Sequence, residues 1–144
     1  MLRRRPERLR GRKFMNLWAK IGLIAAGGAL GALFRTGIAE AIYARMGQDG
    51  FAWGTLTVNL LGCFLIGMAR AGVEIADWGS PELRTIVFAG FLGAFTTFST
   101  FEADTVALWQ TGQRAMAGVY LGVSVVGGLL SLLFGWYVVA RAAL

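Results

Sequence analysis

The chain has 144 residues, 56% of them hydrophobic and only 15% charged, with a net charge of +6. One cysteine and no histidine exclude a disulfide framework, a thiolate metal site, a histidine-based hydrolytic triad and histidine-bound zinc or haem. A mean hydropathy of +0.60 leaves too much apolar surface for one soluble core, so the composition points to the membrane and away from an enzyme.

Residues 1–16 read as a basic N-terminal extension, expected to be disordered. Arg3, Arg4, Arg5, Arg8, Arg10, Arg12 and Lys13 against Glu7 account for the whole net charge, so the rest of the chain is balanced. Charge confined to one terminus argues against a nucleic-acid-binding face on the folded body. Met15, directly before NLWAKIG, is an alternative first residue. A basic stretch before an apolar run also has the outline of a cleaved signal peptide. This run is long, contains Arg35 and is followed by three more, which fits a retained helix better.

Residues 17–144 hold four apolar stretches, roughly Leu17–Tyr43, Phe51–Ile75, Leu83–Leu108 and Ala115–Ala140. Each meets the requirement of about 20 mostly apolar residues for one crossing. The connections MGQDG, DWGSPE and QTGQR are short and rich in turn residues, as between neighbouring antiparallel helices. Ser80 before Pro81 predicts a capped helix start. Trp53, Trp78, Trp109, Trp136 and Tyr137 mostly fall near span ends, where amphipathic rings sit at the interface. The fold class predicted is an all-α membrane protein with four transmembrane helices and no soluble domain.

Basic residues outside the extension nearly tie across the two sides. Lys20, Arg70, Arg84 and Arg141 lie on one, Arg45 and Arg114 on the other. So small a bias is compatible with insertion in both orientations, whereas the extension favours a cytoplasmic N-terminus. Two oppositely inserted copies would reproduce the inverted-repeat geometry of many transporters.

The most unusual segment is GFLGAFTTFSTF, Gly90–Phe101, where Thr96, Thr97, Ser99 and Thr100 crowd beside Phe95, Phe98 and Phe101. Clustered hydroxyls and Gly93 suggest an interrupted helix, whose freed backbone groups need partners in lipid. An unbroken helix whose hydroxyls bond back to its own carbonyls fits the composition equally. Asn59, well inside the second span, is costly unless partnered and offers two donors and one acceptor, to a neighbouring helix or to an anion. Tyr120 and Ser124, four apart, share a helix face with Gly128 and read as a donor track or as interhelical hydrogen-bonding groups. Arg35, a cation near the middle of an apolar stretch, is a functional candidate unless it snorkels. Gly27 with Gly31, and Gly118 with Gly122, are spaced for close helix packing.

The runs GALGALFR, WGTLTVNLLGCFLIG and GFLGAFTTFSTF, followed by YLGVS, resemble the bacterial fluoride channels called Fluc or CrcB over roughly residues 21–140. The third run is the most specific. The resemblance implies an antiparallel dual-topology homodimer in the bacterial inner membrane, with two fluoride pores at the interface and a structural sodium ion at its centre. It makes Phe98 and Phe101 the aromatic pair lining the pores, Asn59 the amide donor beside them, and Thr100, Tyr120 and Ser124 the polar track. It places Arg35 near an aqueous vestibule and gives the Gly93 and Thr96 backbone carbonyls to the sodium. There are three departures. Gly128 stands where some relatives have a further serine, EAD follows Phe101 where relatives often read SAE, and the basic extension has no counterpart in most members.

The function this implies is passive, fluoride-selective export that protects against fluoride toxicity. Fluoride holds its water strongly, so a pore must return many hydrogen bonds at once, which neutral donors do without trapping the ion. Aromatic edges are positive and can face an anion. Three rivals remain: a proton-coupled exporter of small cations using Glu40, a nucleic-acid or anionic-lipid binder acting through the extension, and a structural subunit.

Overall fold

In the computed structural model, residues 15–47 and 51–143 are described; the extension expected over residues 1–16 lies almost wholly outside them. Four helical spans cover Leu17–Met46, Trp53–Ala76, Pro81–Gln110 and Arg114–Ala142, each long and apolar enough to cross a membrane. The predicted spans thus appear in order, with ends shifted by a few residues.

The first span is one helix, α1 (Leu17–Met46), and the second is α2 (Trp53–Ala76). Asn16 caps α1, its side chain accepting from the Ala19 N–H at 2.7 Å. The third span starts as the sequence predicts, with the Ser80 hydroxyl accepting from the Leu83 N–H and Pro81 in the first turn. It continues from α3 (Pro81–Arg84) through a π-helical stretch, Thr85–Leu92, into the single turn α4 (Gly93–Phe95). After an interruption it resumes as α5 (Phe98–Gln110). The fourth span runs through α6 (Arg114–Gly122), a π-helical stretch Val123–Gly127 and α7 (Gly128–Ala142). Nothing in the apolar pattern signals the π-helical stretches.

Packing depends on missing side chains. A Cβ at Gly27 would come within 2.7 Å of the Ile86 carbonyl oxygen, and one at Gly31 would overlap that of Phe91, so α1 lies backbone to backbone against the first half of the third span. Gly67 and Gly135 do the same between α2 and α7, against the carbonyls of Leu132 and Phe64. Without a hydrophobic drive between helices in lipid, such close approach is what holds a small bundle together. Gly118 and Gly122, expected to pack in the same way, have nothing within 4 Å of a built Cβ. Among the described residues that pair packs against no other helix.

Candidate functional site

The third span breaks at Thr96 and Thr97. Gly93 keeps helical angles (φ −65°, ψ −31°), and the chain turns extended only at Thr96 (ψ 156°) and Thr97 (φ −147°). The interruption suggested by the clustered hydroxyls and Gly93 therefore exists and falls among the hydroxyls, while Gly93 itself stays helical. Gly62 makes room for it, because a Cβ there would overlap the Thr96 methyl. One turn earlier on α2, Asn59 supplies the partners that the break needs. Its Nδ2 donates to the Thr97 carbonyl at 3.0 Å, and its Oδ1 accepts from the Thr97 N–H at 2.8 Å. Both polar groups of one peptide-backbone residue are thus paired by one side chain, and one Nδ2 hydrogen is left over.

Thr97 also starts the next helix. Its hydroxyl oxygen accepts from the Thr100 N–H at 3.3 Å, and its hydroxyl pairs with that of Thr100 at 2.9 Å. Two carbonyls lose their helical donors as a result. In an unbroken helix the Gly93 oxygen would accept from the Thr97 N–H, which goes to Asn59, and the Thr96 oxygen from the Thr100 N–H, which goes to Thr97. These are the two carbonyls that the resemblance gives to sodium, and oxygens freed in this way suit a hard cation. Among the described residues no cluster of His, Cys, Asp or Glu could hold a metal.

Two cavities meet at the break. One, of about 280 Å³, is lined by Asn59, Cys63, Thr97, Phe98, Phe101 and Ser124 among others. Four of the expected pathway residues thus converge. Phe98 is 70% exposed on the subunit surface while Phe101 is buried, with their ring centres 5.7 Å apart. The second cavity, about 250 Å³, brings Arg35 together with Glu40, Thr97, Thr100 and Asp104. Thr100 and Arg35 therefore face a separate, more charged space, and only Thr97 borders both. Tyr120 borders neither. It is fully buried, its ring 5.5 Å from that of Phe101 and its hydroxyl donating to Asp104 Oδ2 at 3.2 Å. Ser124 lies on the first cavity, and its buried hydroxyl has no hydrogen-bond partner among the described residues.

Sequence reasoning counted Thr97 only as one of the crowded hydroxyls and gave Asp104 no role. A capping signal was available for Thr97, a threonine directly before a helical run. The Asp104 contact needs α5 and α6 side by side, and local spacing does not show that.

Fold and site define a polytopic membrane protein built around an interrupted span, the arrangement by which channels and carriers line a midplane path with backbone. The chain belongs to the CrcB family: the family model described as "CrcB-like protein, Camphor Resistance (CrcB)" matches residues 22–136. It is 46% identical over 112 residues, 78% of this chain and 84% of the relative, to a protein of Hydrogenovibrio crunogenus named fluoride-specific ion channel FluC. Proteins of the same name from Acidobacterium capsulatum and Rhizobium etli are 44% identical over 115 residues and 39% over 120. Those matches cover 80% and 83% of this chain and 91% and 94% of the relatives.

Proposed function

We propose that this chain is a fluoride-selective channel, exporting fluoride passively across the bacterial inner membrane as an antiparallel, dual-topology homodimer. The observation that carries the reading is the break at Thr96–Thr97 with its polar groups on the outside of the subunit. Gly93, Phe98, Ser99 and Thr100 are all exposed there. Irregular backbone does not face hydrocarbon at membrane depth; it is covered by protein or lines water. A second copy supplies that cover, and the path then runs along the shared face. The relatives, named fluoride-specific ion channels, supply the ion.

Fluoride leaving water needs several donors at once. The spare Nδ2 hydrogen of Asn59 and the unpaired Ser124 hydroxyl are neutral donors on one cavity, with the Phe98 and Phe101 ring edges beside them. Arg35 attracts the anion into the second cavity, where Thr100 and Thr97 receive it. Tyr120 supports this wall from behind through Phe101. The Gly93 and Thr96 carbonyls would hold a sodium ion, which would supply fixed positive charge beside the path. An inside-negative potential drives export at about 2.3 kcal/mol per charge per 100 mV, so no coupled fuel is needed.

Fluoride efflux from liposomes holding the purified protein, with chloride as control, tests the reading. Potential-driven fluoride loss that Phe98→Ile lowers by about tenfold or more is expected, the scale of removing a principal contact to the ion. No fluoride flux from a verified dimer would sink it.

A further inference from the structure

The stripe Tyr120, Ser124, Gly128 carries a hydroxyl, a hydroxyl and then no side chain, yet the space beside Gly128 is filled. A Cβ built on Gly128 would lie 3.4 Å from the Cys63 sulfur. The thiol on α2 therefore reaches the volume into which a hydroxyl at position 128 would project. Cys63 stands four residues after Asn59, on the same face of α2. Both border the 280 Å³ cavity together with Ser124 and Phe98. Cys63 is a free thiol and only partly buried, unlike a cysteine acting as a small core hydrophobe. A second observation marks the same place. The Ser124 hydroxyl, with under 1 Å² exposed, has no hydrogen-bond partner among the described residues, and buried polar groups left in this way ask for an explanation such as an unseen ion or water.

We propose that Cys63 is a further pathway residue, its S–H giving a passing fluoride the hydrogen bond that Gly128 lacks. This rests on the fluoride-channel reading. A thiol is a weak donor, and fluoride is a strong acceptor. The contact helps replace lost hydration while holding the ion less firmly than a hydroxyl, which suits an ion that must leave again. The donor track is then completed across two helices, with asparagine and thiol from the second span alternating with serine from the fourth.

Fluoride efflux from liposomes tests this in four proteins, each confirmed as a dimer by size-exclusion chromatography: the unaltered chain, Cys63→Ala, Cys63→Ser, and Cys63→Ala combined with Gly128→Ser. Cys63→Ala is expected to slow efflux about tenfold, the scale of one hydrogen bond to a charged group. Cys63→Ser keeps a donor and should retain efflux. The double variant should regain it by presenting the hydroxyl from the opposite helix. Unchanged efflux in Cys63→Ala overturns the proposal. So does a Cys63→Ser variant as slow as Cys63→Ala, or a double variant that regains nothing, since either makes the sulfur a packing group. Absent flux in the unaltered chain removes the channel reading itself, whereas normal flux there with an insensitive Cys63 removes only this assignment.

Discussion

The chain carries two glycine pairs with the same spacing and opposite surroundings. Gly27 and Gly31 on α1 are buried against the backbone of Ile86 and Phe91, while Gly118 and Gly122 on α6 meet nothing. A small-residue pair in a membrane helix therefore advertises close approach without saying to what. The first pair closes the subunit, bracing the half of the third span that ends in Phe95, whose side chain is 1% exposed. The second leaves a smooth surface on the span that carries Tyr120 and Ser124.

The largest expected effect breaks the first contact. Gly31→Val would drive a side chain into the Phe91 carbonyl, and backbone cannot step aside. Overpacking costs about 1–3 kcal/mol even where side chains yield, so loss of folded protein on size-exclusion chromatography is expected. Asn59→Ala comes next. It strands both the N–H and the carbonyl of Thr97, at about 1–3 kcal/mol for each buried unpaired group. A clear fall in melting temperature in detergent should result. Thr97→Val removes a helix cap worth about 1 kcal/mol, and Thr97→Ser should restore it in the same melting assay. Gly118→Ala sharpens the contrast from the other side. Its methyl meets open space, so the melting temperature should stay within the shift of about 0.5 kcal/mol typical of an uninvolved surface site. A large loss there would show that the second pair is packed after all.

The four spans were legible because hydropathy and turn residues are local signals that need no knowledge of neighbours. The crowding of Thr96, Thr97, Ser99 and Thr100 marked where a break could fall, but it fitted an unbroken helix equally well. The choice depends on a partner 38 residues away: Thr97 leaves the helix where Asn59 can pair its backbone. The same reason hid the division of the expected pathway. Spacing put Tyr120 and Ser124 on one face, but only the packing of α6 on α5 turns Tyr120 inward to Asp104 and leaves Ser124 on the cavity. The approach of Cys63 to Gly128 likewise joins two helices whose sequences say nothing of each other.

The clasp between Asn59 and Thr97 joins two segments made at different times. Translation runs from the N-terminus, so α2 leaves the ribosome before the third span does. When Thr96 and Thr97 arrive, the exposed peptide groups meet a docking point made earlier on the same chain. The interrupted span thus finishes its break against a helix made one crossing earlier, and until then the Asn59 amide lacks the Thr97 backbone groups that it pairs in the complete subunit.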